Sequence, residues 1–141
     1  MADTVKKVDH LGIAVKDLAE ALAFYEKSLG IKCTHVEEMP DRGIKVAFLP
    51  IGDIRIELIA PLRADSEVSR FLETRGPGIH HLCFETSAVQ QSADTLKAQG
   101  VKLTDDKVKA GAHNTQVVFI HPKSTSGVLI ELAQHPDGHG H

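Results

Sequence analysis

Two stretches of the chain alternate apolar and polar residues in the same way, VDHLGIAV at 8–15 and IHHLCFET at 79–86. In both, bulky apolar side chains recur at every second position, which places them on one side of a strand. The period then lengthens. Leu18, Leu22, Tyr25 and Leu29 in the first copy, and Val89, Ala93 and Leu96 in the second, recur at helical spacing. Asp17 followed by Glu20, and Ser87 followed by Gln90, have the N-cap and N3 spacing that starts a helix. Gly30 and Gly100 stop each helix, where a left-handed residue closes the last turn. Strand patterns follow, KVAFLP (45–50) and IRIELI (54–59) in one copy, QVVFIH (116–121) and VLIELA (128–133) in the other. The chain thus predicts β-α-β-β-β twice, over about 8–61 and about 79–134. Between the copies, about 65–76 reads as a linker helix with Val68, Phe71 and Leu72 on one face, before a Gly-Pro-Gly breaker. The expected class is α+β in a single domain, 1–141, with residues 135–141 as a mobile tail.

Four polar residues interrupt this pattern at matched places. His10 aligns with His81, and Glu57 aligns with Glu131 in the last strand of each copy. By strand parity, Leu11, Ile13 and Val15 face away from His10, and Ile56 and Leu58 face away from Glu57. Ile130 and Leu132 likewise face away from Glu131, and Leu82 and Phe84 from His81. A carboxylate in an apolar strand is costly unless paired, protonated or bound to a metal. One such residue alone is ordinarily a satisfied core group or sits at an exposed sheet edge. Four at repeat-equivalent positions point to one divalent ion, and two N with two O donors suit Zn, Co, Mn, Ni or Fe(II). His80 is the competing register, since a slip of one residue exchanges it with His81.

Composition narrows the partners. Lys and Arg number 16 against 19 Asp and Glu, a net charge of -3, so the broad positive field that binds nucleic acid is absent. No run approaches the ~20 apolar residues of a membrane span, and the first ten residues lack the apolar core of a signal peptide. A cytoplasmic protein is expected. Cys33 and Cys83 lie far apart in strand-like surroundings and read as buried hydrophobes rather than a disulfide. The remaining excess of His, with His135, His139 and His141 near the end, is assigned to the tail without a function.

VDHLGIAVKDL (8–18), IELIAPL (56–62), SRFLETRGPGIHHLCFE (69–85), KAGAH (109–113) and HPKSTSGVLIEL (121–132) together resemble the methylmalonyl-CoA epimerase family. The resemblance runs from Val8 to Gln134. It implies the vicinal oxygen chelate fold, two tandem βαβββ modules joined into a cupped, partly closed mixed sheet around a metal site. It also implies a homodimer, an acyl-CoA substrate, and metal ligands at His10, Glu57, His81 and Glu131, with Co or Mn favoured. The reaction implied removes a proton from C2 of methylmalonyl-CoA and returns it on the other face. Glu131 is the first choice of base, with Glu57 as the second if it loosens from the metal. Some members of the family use a Glu near the start of the third strand, where this chain has Lys45. His113 and Lys123 are candidate substrate contacts, and Arg63, Arg70, Arg75 and Lys109 are further cations for the CoA phosphates. The alternatives are a lactoylglutathione lyase type isomerase and a non-catalytic binding protein of the same fold. An extradiol dioxygenase fits less well, because both copies supply ligands.

Overall fold

The computed structural model describes residues 5–136. His139 and His141, assigned above to the tail, lie outside the described residues. The chain divides into two compact units, one of residues 10–80 and the other of residues up to Asp9 together with those from His81 onward. The division falls close to the boundary between the sequence repeats. It differs in one respect: the segment leading into the first strand packs with the second repeat, where the Lys6 N–H donates to the Glu85 carbonyl at 2.9 Å.

The first unit is built on β1 (Lys7–Ala14), α1 (Leu18–Ala23), β2 (His35–Met39), β3 (Ile44–Ile51) and β4 (Ile54–Pro61). Its strands run in the order β2-β3-β4-β1, with β1 parallel to β4 and the other neighbours antiparallel. Asp17 caps α1 as its spacing predicts, its side chain accepting the Glu20 N–H at 3.1 Å. The helix then widens into a π-turn over Phe24–Ser28 and closes at Gly30 with φ 72°. Leu18, Ala21, Leu22 and Tyr25 pack on Ile13, Val15, Ala47, Leu49, Ile56 and Leu58, the face assigned by parity to the helix. Each fully buried Leu there contributes about 1.5–3 kcal/mol. The linker helix, α2 (Glu67–Arg75), is capped by the Ser66 hydroxyl and buries Val68.

The second unit repeats the plan with β5 (Gly78–Glu85), α3 (Val89–Ala98), β6 (Lys109–Ala110), β7 (Gln116–Ile120) and β8 (Ile130–Gln134). Its order is β5-β8-β7-β6, again with a parallel first pair. Val89, Ala93 and Leu96 of α3 pack on Phe84, Val118, Ile120 and Leu132. Two expectations are corrected here. α3 starts one residue later than the Ser87–Gln90 spacing predicts, with Ala88 in the cap position, and the Val89 N–H is satisfied by the Gln134 side chain at 2.9 Å. His135, assigned to a mobile tail, is 3% exposed and hydrogen-bonded to Asp9 at 2.7 Å. The second strand of this repeat is reduced to Lys109–Ala110 and a single bridge at Leu103. Cys33 and Cys83 are both free thiols; Cys83 is fully buried and Cys33 only partly so. Among the described residues no helix is long and apolar enough to cross a membrane.

Candidate metal and catalytic site

In the first unit the face not covered by α1 carries the polar residues. The register pairs Gly12 with Glu57, His10 with Arg55, and Phe48 with Glu57, so these five side-chain positions share one face. Glu57 and His10 are 5% and 4% exposed, and His10 Nδ1 lies 3.3 Å from Glu57 Oε2. Arg55, which the strand pattern does not single out, is itself buried. Its Nε donates to Glu57 Oε2 at 2.8 Å, a terminal nitrogen lies 2.8 Å from the same oxygen, and its guanidinium lies 5.7 Å from the Phe48 ring centroid. The signal for Arg55 was present in IRIELI: an Arg two residues before a buried Glu shares its strand face.

The second unit holds the equivalent pair, with Leu129 at the sequence position that matches Arg55. His81 Nε2 lies 3.0 Å from Glu131 Oε1, with the two residues 4% and 6% exposed. Cys83 and Phe119 flank Glu131 in register, and the Phe119 ring meets the His81 imidazole edge-on at 6.0 Å. Behind them Cys83, Val117 and Ala133 form a small apolar cluster on this face. The structure separates the two neighbouring histidines by role. His80 is partly exposed and packs edge-on against Phe71 at 4.9 Å, whereas His81 joins the carboxylate.

The donor chemistry fits a divalent ion. Each unit presents one buried imidazole beside one buried carboxylate, and N/O sets of this kind suit first-row divalent metals. Arg55 engages only one oxygen of Glu57, so the other can serve a cation.

The remaining candidates are distributed less tightly. Lys45 pairs with Ala60 and so belongs to the helix-covered face of β3, away from Glu57. The ligand-bearing face of β2 instead carries His35, stacked on Phe48 at 5.7 Å, and Glu37, opposite Val46. His113 lies in the exposed turn Ala112–Asn114, in left-handed conformation with φ 57°. That turn follows Gly111, where a Cβ would come within 2.6 Å of the Thr115 hydroxyl. Lys123 is exposed in the short turn after β7. Of the other cations, Arg63 is held by Asp65 and the Pro40 carbonyl, Arg70 by the Asp65 carbonyl, and Lys109 by Asp105. Arg75 lies over the Phe71 ring at 5.8 Å.

The sequence model of the Glyoxalase/Bleomycin resistance protein/Dioxygenase superfamily matches residues 9–119. The mitochondrial methylmalonyl-CoA epimerase of Homo sapiens is 37% identical over 129 residues, covering 91% of this chain and 73% of that protein. The crystal structure of methylmalonyl-CoA epimerase from Mycobacterium tuberculosis matches with a TM-score of 0.88 at 40% identity, covering 93% of this chain and 89% of that one. A methylmalonyl-CoA epimerase in complex with methylmalonyl-CoA and NH4+ matches with a TM-score of 0.91 at 32% identity, covering 96% and 98%. The chain belongs to this superfamily and, within it, to the methylmalonyl-CoA epimerase family.

Proposed function

We propose that this protein is an isomerase that interconverts the (R) and (S) forms of methylmalonyl-CoA, with His10, Glu57, His81 and Glu131 together holding one divalent ion. The single observation that carries the reading is the duplicated buried pair: an imidazole within 3.3 Å of a carboxylate in one unit and within 3.0 Å in the other. A family of enzymes with this reaction accounts for why both copies keep both residues. Bound to these residues, a divalent ion supplies positive charge beside the oxygens that become negative when the C2 proton leaves.

The chain's own groups then divide the labour. Glu131 removes the proton from C2: its carboxylate is buried beside the His81 imidazole, with Cys83, Val117 and Ala133 packed on the same face. Epimerisation needs a donor on the opposite face of C2. Glu57 is held by the Arg55 guanidinium, through an Nε–H bond and a second nitrogen at 2.8 Å, which suits a ligand better than a mobile base. Glu37 is the acidic residue on the same face of the first unit without that restraint, and we assign it the second proton transfer. The apolar side chains of Val46, Phe48 and Ile59 line this face and exclude water from the reacting carbon. Lys123 has no ion pair among the described residues and is the cation we assign to a CoA phosphate. The reading includes Co or Mn as the ion, a homodimer and a cytoplasmic location.

Turnover of single stereoisomers tests the reading. Purified protein should convert either stereoisomer of methylmalonyl-CoA to the mixture and lose this activity on chelation. Turnover of the glutathione hemithioacetal in its place would make it a lactoylglutathione lyase. Glu37→Gln and Glu57→Gln separate the two candidates for the second base. Glu37→Gln should block exchange from one stereoisomer while leaving metal content intact, whereas Glu57→Gln should weaken metal retention; the reverse pattern would transfer the role to Glu57.

A further inference from the structure

A second cluster of ligating side chains lies in the second unit, apart from the pair already described. Asp9 on β1, Glu85 at the end of β5 and His135 just after β8 are 0%, 4% and 3% exposed. One donor atom from each lies within 4.8 Å of the others. Asp9 Oδ1 and His135 Nε2 are 2.7 Å apart, while Glu85 Oε1 is fully buried and has no hydrogen-bond partner. Backbone bonds fix the frame: Lys6 N–H to Glu85 O, and Thr86 N–H to Ala133 O, both at 2.9 Å. Glu85 shares its strand face with His81, four residues earlier, so about 13 Å of strand separates the two positions.

Glu85 is the informative member: an unsatisfied oxygen on a buried carboxylate is costly unless the group is paired, protonated or bound to a cation. A divalent cation would neutralise both carboxylates, accept the imidazole nitrogen and occupy the orphaned oxygen. Three such donors converge on an ion at about 2.0–2.2 Å after small side-chain rotations, within the spacing seen.

We propose that Asp9, Glu85 and His135 form a second divalent cation site, structural in role, that pins the start of β1 to the end of β8. It takes a first-row transition ion, by its one nitrogen and two oxygens. The inference does not rest on the epimerase reading. Elemental analysis after equilibrium dialysis of metal-stripped protein against Co2+ tests it, in a His139→Ala/His141→Ala background that removes adventitious tail ligands. Two equivalents per chain are expected. His10→Ala/His81→Ala should lower this to one, and adding Glu85→Gln should remove that last equivalent. Glu85→Gln alone should keep one equivalent, which also shows that the variant folds; Asp9→Asn is the second variant should Glu85→Gln not express. Binding of a single equivalent that is abolished by His10→Ala/His81→Ala would overturn the site. An equivalent that persists in both Glu85→Gln and Asp9→Asn would overturn it as well.

Discussion

The two halves of the chain place the same pair of residues on the same strands, yet they hold the carboxylates differently. In the first, Glu57 is clamped by Arg55, with Phe48 packed beneath the guanidinium. In the second, the residue two before the glutamate is Leu129, and Glu131 is met by His81 with Phe119 behind it. A duplicated scaffold has therefore been given two environments: one carboxylate sits against a buried guanidinium, and the other beside an imidazole and a phenyl ring. The proposed division of roles, Glu57 as ligand and Glu131 as base, follows that asymmetry.

The strongest test of this division is Glu131→Gln, which keeps the shape and removes the base. It should lower turnover by about 10²–10⁴-fold, the range for loss of a general base. Glu57→Gln should reduce activity chiefly by weakening metal retention, so added Co2+ should restore more activity to it than to Glu131→Gln. Equal rescue of the two would erase the distinction between the halves.

Next in size is Arg55→Met. Removing one partner of a buried ion pair takes the guanidinium charge from Glu57 and, in metal-free protein, should destabilise the fold by about 3–5 kcal/mol, measured by urea denaturation. Loss below about 1 kcal/mol would mean that the Arg55–Glu57 pair contributes no more than an exposed one.

The smallest effects compare the two helix starts. Asp17→Ala removes a local cap, and Gln134→Ala removes a remote one; each should cost about 1 kcal/mol in thermal or chemical unfolding.

Those two helices also explain what was legible. Asp17 and Glu20 lie three apart, and a cap made by neighbours in sequence can be read from spacing. α3 uses Gln134, 45 residues away from Val89, and no local pattern reports that. The strand faces were legible because alternation is enforced by backbone geometry: Ile13, Val15, Ile56 and Leu58 could only lie opposite His10 and Glu57. Arg55 was missed because a single Arg in a strand ordinarily reads as a solvated edge residue, and its burial follows from the Glu57 beside it. His135 was misplaced for a related reason. A His followed by Pro and Gly looks like the start of a loose end, but its partner Asp9 is 126 residues earlier in the chain. The reduced β6 escaped notice because the repeat argues for equal strands, whereas the Gly111–Thr115 turn takes up the chain that would extend it.

The central claim is that a buried carboxylate of the second repeat moves the C2 proton with help from a metal held by both repeats. Deuterium incorporation at C2 of methylmalonyl-CoA in D2O, followed by mass spectrometry, tests it most directly. The wild-type protein should exchange this position rapidly, lose the exchange on chelation, regain it with Co2+ or Mn2+, and lose it in Glu131→Gln even with metal bound. Exchange that survives both chelation and Glu131→Gln would contradict the account.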